Sequence, residues 1–188
     1  MRKEQCGAVL LAGGKSRRMG QCKALLEVEG ETLLQRTVRL LDGFSELWLS
    51  ANDSALAEGL PVQLVADNHP GCGPLAGLEA ALSVTDKEAL VCVSCDLPHL
   101  TAAVPELLLQ SLTEEADAAV CVDSTGRVHP LCGIYRKRTL TLIRQLLEQD
   151  QRRMMAFLRQ INCVYVKTGG ILPDEVFCNW NTPEDLQN

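Results

Sequence analysis

The stretch that decides the reading is Ala8-Val9-Leu10-Leu11-Ala12-Gly13-Gly14-Lys15-Ser16-Arg17-Arg18-Met19-Gly20-Gln21-Cys22-Lys23. Its first four residues form an apolar run that predicts a buried strand. Two glycines follow, then Lys15, Arg17 and Arg18, then Gly20 and Lys23. Glycine lets a backbone turn tightly and brings bare N–H groups against a ligand. Cations crowded on such a turn repel one another unless an anion sits among them. A nucleoside triphosphate meets that demand, and open α/β sheets bind ligands past the carboxyl ends of their strands. The alternative is a solvated basic loop.

Working outward, strand-like runs occur at residues 7–11, 47–50, 62–65, 90–95, 118–122, 130–135 and 163–167. Helix-like runs lie between them. Thr32 to Leu41 repeats apolar residues at helical spacing. Gly73-Pro74 opens a run from Leu75 to Leu82, with proline suited to a first turn. Pro105 begins another helix, and Lys137 to Leu147 is amphipathic. Alternating strands and helices predict an α/β fold, with a mostly parallel central sheet covered on both faces. Neither repeats nor low-complexity linkers appear, so residues 1–188 read as a single domain.

Hydrophobic residues make up 46% of the 188-residue chain and charged residues 22%, the balance of a soluble globule. The net charge of −6 argues against a general nucleic-acid binder, which wants an extended basic face. Arg2 and Lys3 followed by Cys6 to Ala12 faintly mimic a secretion signal, but the apolar run ends at Gly13 and meets Lys15. Nothing approaches the roughly 18 apolar residues of a membrane helix. Nine cysteines, odd in number and scattered, suit a reducing cytoplasm. Cys92-x-x-Cys95 invites a metal or dithiol reading. On a strand, however, residues three apart face opposite sides, and two buried apolar thiols fit better.

Several polar residues end strands and should collect in one crevice. Asp96 closes the run Leu90–Cys95 and is followed by Leu97-Pro98. An acid there is placed to hold Mg²⁺, which takes one or two carboxylates plus substrate phosphates; the structural alternative is a helix cap. Asn52 and Asp67 end the second and third strands, as turn residues or as ligand contacts. Asn offers a donor and an acceptor for reading a base edge. Gly71 to Gly77 is either a connection or a close backbone approach to a ribose or base. Asn179 and Asn181, two apart, share a face if extended, while Thr182 reads as a cap before Pro183. His129 is a packed residue or a substrate contact, and His69 and His99 carry no clear role.

The loop lacks both the P-loop pattern and Gly-x-Gly-x-x-Gly: five residues separate Gly14 from Gly20, and Gln21 follows. Leu11-Ala-Gly-Gly-x-Ser-x-Arg-Met-Gly followed closely by Lys23 instead resembles the signature loop of nucleotidyltransferases. With Lys23-Ala-Leu-Leu, Gly73-Pro-Leu-Ala-Gly, Cys95-Asp-Leu-Pro, His129-Pro-Leu, Arg152-Arg-Met and Asn179-Trp-Asn-Thr-Pro-Glu-Asp-Leu, nearly the whole chain resembles the molybdenum cofactor guanylyltransferase family. The resemblance implies a Rossmann-like three-layer nucleotidyltransferase fold. It implies GMP transfer from GTP to the phosphate of molybdenum-molybdopterin, with release of pyrophosphate and Mg²⁺ as cofactor. Leu11, Ala12, Gly13, Gly14, Lys23, Asn52, Asp67 and Asp96 would then line the GTP site, with Asp96 on the metal. Arg18 and Lys23 would steady phosphate charge, and His129, Asn179 and Asn181 would meet the pterin. Transient contact with molybdoenzymes or their chaperones is also implied, with no nucleic acid or membrane partner.

One position departs from the family, which usually has Asp before the loop lysine where this chain has Cys22; a neutral thiol does not pair with Lys23 as a carboxylate would. The rivals are a cytidylyltransferase for the same cofactor, another small-acceptor nucleotidyltransferase, and a weakly active protein that binds nucleotide or cofactor and passes it on.

Overall fold

Strand β1 (Cys6–Leu11) is buried along its entire length, which requires helices on both faces of the sheet it joins. The computed structural model describes residues 1–12 and 23–179. After β1 come a small hairpin of β2 (Glu27–Val28) and β3 (Glu31–Thr32), α1 (Leu33–Leu40), β4 (Leu47–Ser50) and β5 (Gln63–Val65). Then follow α2 (Pro74–Val84), β6 (Ala89–Ser94), α3 (Ala103–Ser111), β7 (Ala118–Val122) and β8 (Val128–Arg136). The described chain continues through α4 (Leu140–Glu148), α5 (Met154–Leu158) and β9 (Cys163–Lys167). Seven strands form one sheet in the order β5-β4-β1-β6-β8-β7-β9. Within it only β8 runs against its neighbours. Among the described residues no helix is long and apolar enough to cross a membrane.

The apolar residues divide between the two faces as strand alternation demands. On one face Leu10, Val91 and Ile134 pack with Leu34 and Val38 of α1 and Val104 and Leu108 of α3. On the other, Val9, Leu90 and Tyr135 pack with Leu75 and Leu78 of α2, Ile143 of α4 and Phe157 of α5. The result is the expected three-layer α/β architecture. Cys92 belongs to the second layer and Cys95 to the first, so the two thiols of the Cys-x-x-Cys stretch lie on opposite sides of the sheet. Burial pushes the Cys92 thiol up to about 12, which suits an inert apolar group.

Helix α1 starts where its chemistry says it should. Thr32 Oγ1 accepts from the Gln35 backbone N–H, and the Gln35 side chain accepts from the Thr32 N–H, a reciprocal cap. Other boundaries differ from expectation. Helix α3 begins at Ala103, two residues before Pro105, which sits where the first-turn N–H groups have no helical acceptor anyway. The amphipathic run from Lys137 splits into a 3₁₀ turn at Lys137–Thr139 and α4. Strand β8 runs through Pro130 to Val128 because the register shifts between Val120 and Cys121, and proline, lacking an N–H, is tolerated at such a bulge. The β2–β3 hairpin and α5 were not expected. The first turns on Glu29 and Gly30, both at positive φ. The second, at five residues, is too short to show a period.

Candidate active site

Strand register sets the site. Leu11 lies level with Ser50 and with Ser94, and Ser50 lies level with Val65. Asn52, Asp67 and Asp96 therefore each sit two residues past the same level, on the carboxyl edge of four parallel strands. The Ala12 N–H donates to the Ser50 carbonyl at 3.1 Å, and the Cys95 N–H to the Leu11 carbonyl at 3.3 Å. Leu11 and Ala12 are thus fixed between the carboxyl ends of β4 and β6. Asn52 is exposed on this edge, with Asp67 and Asp96 partly buried beside it. Gly13, Gly14 and Arg18, with Cys22, lie outside the described residues, as does Asn181.

Asp96 is held from both sides. Ser94 Oγ donates to Asp96 Oδ1 at 2.5 Å. Lys23, in the 3₁₀ turn Lys23–Leu25, places Nζ 3.9 Å from Asp96 Oδ2, with both side chains partly open to solvent. A hard-oxygen carboxylate at a strand end, its second oxygen loosely paired with a cation, fits a divalent ion completed by phosphates and water. Among the described residues there is no cluster of three or more potential metal ligands. The helix-cap alternative for Asp96 finds no support, because its oxygens face Ser94 and Lys23 and α3 starts seven residues later.

Asp67 accepts a hydrogen bond from Ser50 Oγ at 3.1 Å. Burial raises its pKa, the Ser50 bond opposes that shift, and the charge of Glu79 adds to it. Glu79 lies fully buried in α2. It accepts from Arg144 Nε of α4 at 2.7 Å and from Asn68 Nδ2 at 2.8 Å. These bonds tie the segment carrying Asp67 to the helix behind the edge.

Helix α2 approaches that edge closely because residue 77 is glycine. A β carbon there would lie 2.4 Å from Ser50 Oγ and 3.0 Å from Leu11 Cδ2. Gly77→Ala is expected to cost about 1–3 kcal/mol of stability. Ser50 would have to turn away and give up its bond to Asp67. Thermal denaturation checks this; a stability within about 0.5 kcal/mol of wild type, as for an innocuous surface change, would refute it.

At the far end of the same edge, β7 ends and β8 begins. His129 Nε2 meets Asp123 Oδ2 at 2.8 Å, and the imidazole stacks on Phe177 at 4.5 Å between centroids. Asp123 Oδ1 accepts from the Thr125 N–H, the Thr125 hydroxyl and the Arg127 N–H. The Thr125 hydroxyl and then His129 hold the Asp123 carboxyl far below the usual carboxylate range. Two cavities adjoin this group. One of about 320 Å³ is lined by Asp123, Arg127, His129, Asp174, Phe177 and Asn179. The other, of about 160 Å³, is lined by Ser94, Leu97, Arg127, His129, Pro130 and Asn179.

The structure thus brings His129 and Asn179 to shared cavities, and sets Leu11, Ala12, Lys23, Asn52, Asp67 and Asp96 along one sheet edge. Ser50, Ser94, Asp123, Arg127 and Phe177 escaped the sequence reading. A turn signal at Asp123-Ser-Thr-Gly-Arg127 was legible, but its link to Phe177, some 50 residues later, was not.

Residues 8–164 match the MobA-like NTP transferase domain. A relative from Shewanella baltica named molybdenum cofactor guanylyltransferase is 34% identical, the alignment covering 97% of this chain and 94% of that protein. Another, from Carboxydothermus hydrogenoformans and named as a probable enzyme of that kind, is 36% identical over 95% of this chain and 91% of its own. The crystal structure of molybdopterin-guanine dinucleotide biosynthesis protein A from Archaeoglobus fulgidus superposes with a TM-score of 0.81, covering 96% of this chain and 95% of that one. At 24% identity that likeness speaks to the fold alone. With that domain spanning most of its length and relatives matched end to end, the chain is a nucleotidyltransferase and belongs to the MobA-like NTP transferase family.

Proposed function

We propose that this single-domain enzyme transfers GMP from GTP to the phosphate of molybdenum-molybdopterin, forming the guanine dinucleotide cofactor and pyrophosphate. The observation that carries this reading is the alignment of Asn52, Asp67 and Asp96 on one sheet edge, with Lys23 facing Asp96. Relatives of matching length named as guanylyltransferases support the choice of substrates.

In this reading an acceptor phosphate oxygen attacks the α-phosphorus of GTP. The new P–O bond forms as the bond to the β-phosphate oxygen breaks, and pyrophosphate carries the electron pair away. No covalent enzyme intermediate is needed, because positioning and electrostatics suffice. Asp96 would hold Mg²⁺, which when bound supplies charge neutralisation at the phosphates. Lys23 and Arg18 offset negative charge as the bonds change. Leu11, Ala12, Gly13 and Gly14 lay backbone against the nucleotide, and Asn52 and Asp67 face its ribose and base. His129, Asn179 and Asn181 form the acceptor side. The proposed setting is the cytoplasm, with transient contact to molybdoenzymes or their chaperones as product leaves, and no nucleic acid or membrane partner.

The test is pyrophosphate release with Mg²⁺, the pterin acceptor and either GTP or CTP. Release with GTP is expected to be at least roughly tenfold faster, as for a site that bonds to the edge of one base. Equal or faster release with CTP would overturn the base assignment. No release with either nucleotide would leave the binding-and-carrier rival standing.

A further inference from the structure

We propose that Arg127 reads the phosphate of the acceptor, while the Asp123–His129–Phe177 group holds its heterocycle. This rests on the acceptor-side reading of His129 and Asn179 given above. Both cavities at the β7–β8 end are lined by Arg127, His129 and Asn179, so they adjoin one another through these residues. The smaller is also lined by Ser94 and Leu97, which flank Asp96 in the chain. The larger reaches Phe177. An acceptor laid along them has one end at Ser94 and Leu97, the chain neighbours of Asp96, and the other at the stacked His129–Phe177 pair.

Among the described residues, the charged side chains lining these cavities are already committed, with one exception. Asp123 accepts from Thr125, Arg127 and His129. Asp174 accepts from the Ser124 N–H at 3.0 Å and from the Ser124 hydroxyl. Among the described residues Arg127 is the one Arg or Lys lining either cavity, and its guanidinium makes no hydrogen bond or ion pair with any of them. Its backbone is pinned nonetheless. The Arg127 N–H donates to Asp123 Oδ1 at 3.0 Å, and its carbonyl accepts from the Asp123 N–H at 3.0 Å. A fixed stem carrying an uncommitted planar fork is suited to a phosphate, which it can grip with two parallel bonds.

The other end favours a flat, donor-rich ring. Phe177 fixes the plane of the His129 imidazole. With Nε2–H donated to the Asp123 carboxylate, an uncharged imidazole would offer Nδ1 as an acceptor, matching the N–H groups of a pterin. Asp123 thus serves as a positioning residue for His129, and through its bond to the Arg127 N–H it also sets the start of the arginine side chain.

The experiment compares wild type, Arg127→Ala, Arg127→Lys, His129→Ala and Asn179→Ala in pyrophosphate release, varying acceptor and GTP separately. Arg127→Ala is expected to raise the acceptor KM by roughly tenfold to a hundredfold, the loss of charge-assisted bonds, with the GTP KM within about twofold of wild type. Arg127→Lys, which keeps the charge but not the fork, should fall between. A pterin competitor lacking the phosphate should inhibit wild type and Arg127→Ala equally. If Arg127→Ala leaves the acceptor KM unchanged while His129→Ala or Asn179→Ala raises it, the arginine assignment fails and the acceptor side stands. If none of the three raises it, the acceptor-side reading itself fails. A higher GTP KM in Arg127→Ala would place the arginine on the triphosphate and overturn the proposal. Loss of the competitor's binding in Arg127→Ala would show that the arginine acts on the ring, which overturns the proposal as well.

Discussion

Asp96→Asn is expected to cut GMP transfer by about a thousandfold or more, some 4 kcal/mol of transition-state stabilisation, with folding unimpaired. The amide is nearly isosteric with the carboxylate, and its oxygen can still accept from Ser94 Oγ. The ion pair it gives up with Lys23 spans 3.9 Å between partly exposed groups, so its contribution to stability is about 0–1 kcal/mol. On the proposed reading, what the variant loses is the negative charge that the end of β6 would offer a cation bridging protein and phosphates. Lys23 would then stand beside a neutral group and, on the proposed reading, still meet the triphosphate. GTP binding should therefore survive better than turnover. The measurement is kcat/KM beside thermal denaturation. Turnover near wild type in a normally folded variant would sink the assignment of Asp96.

Arg144→Ala should be the most destabilising of these substitutions, at about 3 kcal/mol. Glu79 is 1% exposed, and its carboxylate is shared between Arg144 of α4 and Asn68. Removing the guanidinium leaves a buried negative charge with one neutral donor, and such a charge costs far more than the intact pair contributed. The lower end of the range applies because the Arg144 side chain is itself half open to water. For a chain of this size the loss corresponds to a drop in Tm of roughly 6–12 °C. Glu79→Gln added to Arg144→Ala should recover most of it, since the amide keeps a bond to Asn68 without a charge to desolvate. Arg144→Ala alone within about 0.5 kcal/mol of wild type would contradict this account. Activity should fall too, because Asn68 adjoins Asp67 and the Glu79 contacts hold that segment against α2.

Features that near neighbours in the chain decide are legible from residue order alone. Apolar runs buried on both faces mark β1 and β6, and the reciprocal cap of Thr32 and Gln35 marks the start of α1. The polar residue ending each parallel strand follows from the same pattern, which is why Asn52, Asp67 and Asp96 are legible in the chain alone. Even the separation of Cys92 from Cys95 follows from alternation within one strand.

What joins across the sheet depends instead on contacts between distant segments. The order β5-β4-β1-β6-β8-β7-β9 seats a reversed strand between β6 and β7, and no local period encodes that choice. It is set by the summed packing of both helix layers, in which each contact is small. That order brings the Asp123–Arg127 turn beside Ser94 and Leu97, and a later segment carries Phe177 onto His129. The bond from Glu79 to Arg144 spans 65 positions for the same reason. A buried carboxylate must find a partner, but which partner depends on which helices the sheet sets side by side.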